Sequence, residues 1–569
     1  MTTLEQKRNN SLLGNKYFVI FVFFAIGFSI YGNVIGGKFL WDDDNNIVNN
    51  SYIKDGGHIG DFFTKDLLAG SGQTIGWYRP ALLISYAIDY GIWHLNPVGY
   101  HLTNIFLHVF SSLILFLIVL KIFYKWSVAF LSSLLFLIHP VQTEAVSYIS
   151  GRADLLLVFL SLSSFYFFLL FQESNTVKRS AIFYGASILS FVLALLSKET
   201  AIVFPLLLIL FILTLGKRAG RLSFEKTSLI IAPFLAISAV YQILRMTLLN
   251  FGHSFTVSGA DIGHRMLMFL KAMPIYWKLI FIPLDLHYHF ERKLVINGWD
   301  WMIATSIAVL ILIVLSYVRL NSQRKFIIFG LGWFFISLIP VSGVFVAINF
   351  IIGERWLYFS AVGIFIFIAL CIDKISTAIS SKRNKSILII LLVIYLSFLG
   401  VLGVKRNFVW KNGVSLLTDT LKYAPNDPKL HNSLGLEYIK EGQDDEALQE
   451  FKLASSIDPA DALIHYNLGV FYATHKINKE AIYEFEKMVS LNQNLKFGYG
   501  MLADLNYQNK EYVETLSWLE KLSVISQDSW EVYYKLAIAY NLLGDKKNSD
   551  GALNQAIKLN PDLMNKLRQ

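Results

Sequence analysis

Three carboxylates stand together at Asp42, Asp43 and Asp44, just past an apolar run that ends near residue 35. A second polar string, HPVQTEAVSYISGRAD at 139–154, lies between two apolar segments and sets His139, Glu144, Arg152 and Asp154 at one boundary. Ionisable groups beside hydrocarbon are costly to keep, so such clusters mark function by default. A carboxylate at an apolar edge has its pKa lifted by desolvation, which suits a general base acting on a hydroxyl. Cations or N–H donors suit a leaving phosphate, which gathers negative charge as its bond breaks. Arg79, Arg152, Lys198, Arg292 and Arg355 fall near the ends of apolar segments. The combination points to group transfer from an anionic leaving group to a hydroxyl. Asp43 is taken as the base and Asp42 as its partner, although the residues alone leave that choice nearly even.

These groups need elements that hold them at one surface. Of 569 residues, 54% are hydrophobic, which exceeds what a soluble domain of this size requires. Apolar runs lie near 17–35, 100–120, 126–139, 152–171, 180–197, 200–215, 226–249, 299–318, 326–347, 356–373 and 386–404. Those at 126–139 and 200–215 are short for a span of about 17–25 residues and must borrow flanking residues. The net charge of +9 comes with basic residues gathered in short loops, as orientation signals are, so nucleic acid is a poor partner. Lys7, Arg8 and Lys16 place the N-terminus in the cytoplasm, and the first run reads as a retained span, not a cleaved signal. The segment 264–284 is apolar but carries Arg265, Lys271 and Lys278. It reads as an interfacial or re-entrant helix broken near Pro274. Eleven crossings result. They bring the WDDD run at 41–44, WYRP at 77–80, the 139–154 string, SKET at 197–200 and GERWLY at 353–358 to the external face.

Each polar residue also has a structural reading. Asp42–Asp44 could cap a following helix. Glu144 and Arg152, two helical turns apart, could pair with each other. Lys198 and Glu199 could end a span by snorkelling. His101, Asn104 and His108 share a helical face and fit interhelical hydrogen bonds. His139 with Glu144 lacks further His or Cys ligands at zinc spacing. No metal ligands are assigned; Asp42 and Asp43 could hold a divalent ion, but a monophosphate can leave with arginine help alone, so none is expected. The single cysteine, Cys371, excludes an intramolecular disulfide.

After Lys405 the composition turns polar and a 34-residue period sets in, the mark of tetratricopeptide repeats. Leu434, Gly435, Tyr438, Ala447, Phe451, Ala454 and Pro459 fit the first unit; Leu468, Gly469, Tyr472, Ala481 and Phe485 follow in register. Repeats are expected near 428–461, 462–495, 496–529 and 530–563, with a leading half-repeat near 410–427. The chain thus divides into a membrane domain, 1–405, and a repeat domain, 406–569, whose stacked helix pairs form a superhelix that binds a peptide or partner protein.

WDDD, WYRP, YHLTN, HPVQTEAVSYISGRADLL, SKET and GERWLYFSAVG together resemble the transmembrane O-mannosyltransferases that carry tetratricopeptide repeats, and their prokaryotic relatives. The likeness covers nearly the whole chain and departs at Gln142, where animal relatives often carry His. It implies an all-α, GT-C-type helix bundle followed by the repeat superhelix. It implies a sugar, mannose in the best-known members, taken from a polyprenyl-phosphate donor and transferred with inversion to Ser or Thr of an external protein, without need of metal. On this reading His101, His139, Glu144, Asp154, Glu199 and Glu354 join the five cations as donor-binding residues. A prokaryotic cytoplasmic membrane is expected over the endoplasmic reticulum, with the site and repeats on the external or lumenal face. A flippase of lipid-linked sugar should show inverted repeats and midplane charges. A membrane-anchored repeat scaffold would not need so many spans.

Overall fold

The structure, a computed structural model, describes residues 16–216, 224–247, 261–288, 301–319, 324–345 and 352–564. Arg292 lies outside them. Among the described residues there is no β-strand. The chain forms two compact units, Met1–Leu416 and Leu417–Gln569.

In the first unit the helices are α1 (Lys16–Tyr31), α2 (Pro80–Trp93), α3 (Pro97–Phe123), α4 (Trp126–Ile138), α5 (Thr143–Ser147), α6 (Arg152–Glu173), α7 (Val177–Ser197), α8 (Phe204–Thr214), α9 (Phe224–Thr247), α10 (Ile262–Phe281), α11 (Trp301–Arg319), α12 (Arg324–Leu338), α13 (Leu357–Ala378) and α14 (Lys382–Val409). Each apolar run named from the sequence is helical over most of its described residues. Eight of the described helices are long and apolar enough to cross a bilayer, and the unit is a multi-pass membrane bundle. Two of the remaining runs differ from simple crossings. The α4 helix bends by 52° into residues 140–147, because His139-Pro140 breaks it, and Glu199–Thr214 is short. The expected break at Pro274 is absent: α10 runs unbroken through it. Burial of Met273, Tyr276, Leu279 and Ile280 on either side compensates the backbone hydrogen bond that proline removes. With three basic residues, α10 is not among the eight candidate spans.

Small residues set the closest helix crossing. Gly330 on α12 faces Gly363 on α13 so tightly that a Cβ on either would meet the other's carbonyl. Aromatic rings fill the space around it: Trp333 packs on Phe165, Phe329 and Phe359.

The end of α14 carries the membrane unit further than composition suggested. Asn407 donates to the Ile30 carbonyl at 2.7 Å and accepts from Ser147 Oγ at 2.8 Å. Trp410 is fully buried and stacks on Tyr148, with ring centroids 5.4 Å apart. The boundary thus lies after Leu416 and not after Lys405, because packing, not polarity, decides which residues belong to a core.

The second unit follows its period. After α15 (Gly413–Leu421), the helix pairs Pro428–Lys440 with Asp444–Ile457, Ala462–Thr474 with Asn478–Leu491, Lys496–Gln508 with Tyr512–Ile525 and Trp530–Leu542 with Lys546–Leu559 match the four expected repeats. The repeat extends to polar contacts. His431 bonds Glu450 at 2.6 Å and the Pro425 carbonyl, and His465 bonds Glu484 at 2.6 Å and the Pro459 carbonyl, 34 residues on.

Candidate active site

The WDDD run makes a tight turn after α1. Trp41 sits at φ 45°, a left-handed conformation that bulky residues rarely adopt. The turn is closed by Asp43, which accepts the Leu40 N–H at 2.9 Å through Oδ2 and the Ser150 hydroxyl through Oδ1. Asn46 donates to the same Ser150 oxygen at 2.9 Å. Asp43 is fully buried, and that burial raises its carboxyl from 3.8 to about 7 against the opposing pull of its hydrogen bonds. Its neighbour differs. Asp42 is exposed, and its backbone N–H donates to the Tyr148 hydroxyl at 3.1 Å.

The 139–154 string folds as a turn, the short helix α5 and a second turn that reaches α6. Gly151 permits this, since a Cβ there would collide with the Ala145 carbonyl. Glu144 accepts the Arg355 N–H at 2.9 Å through Oε2, and its Oε1 lies 3.6 Å from Arg355 Nε. Asp154, at the start of α6, holds Lys198 Nζ at 2.6 and 2.7 Å. Arg79 makes a two-pronged contact to Glu199, at 2.8 and 3.1 Å, and lies over the Trp77 ring. Asp66 orders the loop that presents WYRP by accepting the N–H groups of Ile75, Gly76 and Trp77.

These pairs belong to one electrostatic cluster. The charges of Glu144, Asp154 and Asp42 all act on Arg355, and those of Asp154, Arg79 and Arg355 act on Lys198. The structure therefore brings together Asp42, Arg79, Glu144, Asp154, Lys198, Glu199 and Arg355. Arg355 is the most open of its cations, with 30% of its side chain exposed against 10% for Arg79 and Lys198.

Other expected residues have structural work. Arg152 is fully buried and does not pair with Glu144. It binds Asp89 at 2.5 Å, Asn104 Oδ1 at 2.9 Å, Ser85 Oγ at 3.2 Å and the Tyr100 carbonyl at 2.8 Å, between the rings of Tyr86 and Tyr100. A guanidinium so enclosed has no face left for a phosphate, which corrects its assignment as a donor ligand. His139 donates from Nε2 to the Ile280 carbonyl at 2.8 Å, and its Nδ1 accepts the Val141 N–H at 3.2 Å, so it ties α10 to the turn. Glu354 is buried against Arg406 at 3.4 Å. His101 is buried beside Gly37. Asn104 and His108 make the interhelical bonds their spacing suggested: Asn104 Nδ2 reaches the carbonyls of Val146, Tyr148 and Ile149, and His108 bridges Tyr358 and the Leu137 carbonyl. Among the described residues no three His, Cys, Asp or Glu side chains group as a metal site.

Several site residues escaped the sequence reading. Tyr148 and Ser150 stood inside the quoted string but carry no charge. Asp89 and Arg406 fall outside both the apolar runs and the polar strings, so nothing in the sequence sets them apart. Tyr288 packs on Trp41 at 4.4 Å and on Trp410 at 6.0 Å, and the charges of Arg355, Asp42 and Glu144 act on its hydroxyl. Beside Arg79 an apolar groove of about 330 Å³ opens between α7 and α9, lined by Tyr78, Val192, Leu195, Ile237, Val240 and Tyr241 among others.

Residues 49–257 match the family described as dolichyl-phosphate-mannose-protein mannosyltransferase, and residues 435–475 and 531–563 match tetratricopeptide repeats. A protein O-mannosyl-transferase of Caenorhabditis elegans is 26% identical over 442 residues, covering 76% of this chain and 61% of its own. The chain is related to the protein O-mannosyl-transferases. The human protein O-mannosyl-transferases TMTC1 and TMTC4 are 25% and 27% identical, covering 76% and 73% of this chain. The chain spans 61%, 54% and 63% of the length of these three relatives. Among solved structures, the crystal structure of MamA overlaps 27% of this chain and 89% of its own at 20% identity and a TM-score of 0.25. The matched mannosyltransferase segment holds Arg79, Glu144, Asp154, Lys198 and Glu199; Asp42, Tyr288 and Arg355 join it through the fold.

Proposed function

We propose that this protein is an integral-membrane glycosyltransferase that moves a hexose, mannose by analogy with its relatives, from a polyprenyl-phosphate donor to a Ser or Thr hydroxyl of an external protein, with inversion. The observation that carries the reading is the placement of an exposed carboxylate, Asp42, within electrostatic reach of a half-open guanidinium, Arg355. In the same unit an apolar groove begins at Tyr78, one residue before Arg79. The groove suits a polyprenyl chain. Arg355, with Arg79 and Lys198 behind it, suits the phosphate.

The reaction then runs as a displacement. Asp42 accepts the proton of the acceptor hydroxyl while the hydroxyl oxygen bonds to the anomeric carbon. The bond from that carbon to the phosphate oxygen breaks, and its electron pair leaves with the polyprenyl phosphate. Arg355 stabilises the charge that grows there. Asp43 positions its neighbour instead of acting as the base, since both its oxygens are engaged inside the turn. The catalytic face is the external or lumenal one, and the repeat superhelix suits the polypeptide acceptor. Purified protein supplied with radiolabelled polyprenyl-phosphate mannose and a Ser/Thr-rich peptide should yield labelled peptide. Absence of label on any hydroxyl acceptor, across several lipid-linked hexoses, would overturn the reading.

A further inference from the structure

An inverting displacement puts the sugar ring between the base and the leaving phosphate. If Asp42 and Arg355 fill those roles, whatever lies between them must touch the sugar. The hydroxyls of Tyr148 and Tyr288 both feel these charges, but Tyr148 is fully buried and its hydroxyl already accepts the Asp42 N–H, which leaves Tyr288 as the aromatic group with a face to offer. Its ring is half-buried and packed on Trp41 at 4.4 Å and on Trp410 at 6.0 Å. Trp410 is in turn stacked on Tyr148, which holds the Asp42 backbone. The wall is therefore fixed to the same support as the base.

Trp41 adds an independent sign. It is half-buried and adopts φ 45°, although the neighbouring turn positions include residues better suited to that conformation. Backbone strain in a bulky residue persists where the surroundings impose it, and it gathers at ligand sites. Here it places an indole behind Tyr288 and beside Asp42.

We infer that Tyr288, backed by Trp41, forms the wall against which the donor's hexose lies, between Asp42 and Arg355. A pyranose offers an apolar face of C–H groups to an aromatic ring and hydroxyls to a phenol. Tyr288 supplies both the ring and the phenol, so it is assigned as a sugar-binding residue of the donor site. This rests on the glycosyltransferase reading and adds the group that distinguishes a sugar-loaded lipid from the bare lipid phosphate.

The test compares two ligands, polyprenyl-phosphate mannose and polyprenyl phosphate, in binding to full-length protein in detergent or nanodiscs. Tyr288→Leu should weaken binding of the sugar-loaded lipid by about tenfold, the scale of one lost aromatic contact, and leave the bare lipid phosphate unchanged. Tyr288→Phe should keep most of that affinity. Trp41→Gly, which relieves the backbone and removes the indole, should act in the same direction as Tyr288→Leu. Unchanged bare-lipid binding also serves as the folding control. Equal loss for both ligands, or loss for neither, would overturn the inference while the glycosyltransferase reading stands. A wild-type protein that binds neither lipid overturns that reading and the inference with it.

Discussion

The backbone N–H of Asp42 donates to the hydroxyl of Tyr148 at 3.1 Å, across 106 positions of sequence. A phenol from the 139–154 string thus fixes the WDDD turn. Because Tyr148 is buried and stacked on Trp410, it cannot follow Asp42 if the turn relaxes. Tyr148→Phe should lower the turnover of transfer by about tenfold, the loss expected for one positioning hydrogen bond, and leave the affinity for the lipid-linked sugar unchanged. A parallel rise in donor dissociation constant would instead place Tyr148 against the donor.

The two carboxylates should separate under amidation. Asp42→Asn removes the proposed base and should cut transfer by about 10²–10⁴, with donor binding retained. Asp43→Asn keeps an oxygen for the Leu40 N–H and loses no charge that reaches the acceptor, so its effect should be smaller. Transfer rates of both variants at saturating donor check this. The reverse order would return the role of base to Asp43.

Asp43 also links stability to pH. Its carboxyl titrates near 7 in the folded chain against an ordinary 3.8, because burial disfavours the charge. Between those values the folded state keeps a proton that the unfolded state has lost, so stability must fall as pH rises through that window. The contribution is full below the lower value and is lost as pH passes the upper one. Thermal unfolding in detergent between pH 5 and pH 8, in the window set by this shift, should show a falling midpoint for the wild type and a flatter one for Asp43→Asn. Identical slopes would show that Asp43 is charged throughout.

Arg152 and Arg355 should fail differently. Arg152→Ala strands buried Asp89 and should destabilise the fold by about 3–5 kcal/mol, the usual penalty for an orphaned buried charge. The joint variant Arg152→Met with Asp89→Leu should recover much of that loss. Arg355→Ala leaves buried Glu144 the backbone N–H of residue 355, so it should destabilise the fold less than Arg152→Ala and weaken donor binding. Midpoints and donor affinities for the three proteins decide the matter. A selective loss of donor affinity in Arg152→Ala, with full stability, would restore it as a phosphate ligand.

Sequence alone determined the class of this protein. Apolar run length marked the helices, since a bilayer demands unbroken backbone hydrogen bonding over a fixed thickness. The 34-residue period marked the repeats down to their helix pairs, because each unit buries the same face against its neighbour. Charge at apolar boundaries marked most of the site, because charge is scarce there: Asp42, Arg79, Glu144, Asp154, Lys198, Glu199 and Arg355 do converge.

Only the tertiary structure decided which charges are spent and which are open. Arg152 and Arg355 look alike in sequence, each at the end of an apolar run. One is enclosed by Asp89, Asn104, Ser85 and Tyr100, and the other is partly exposed over Glu144. Asp42 and Asp43 are adjacent and chemically identical, yet the turn buries one and exposes the other. Tyr288 and Trp410 had no signal at all, since an aromatic residue in an aromatic-rich chain is unremarked until its neighbours are known. Composition records which groups a chain owns. Packing between segments hundreds of residues apart decides which of them still face a substrate.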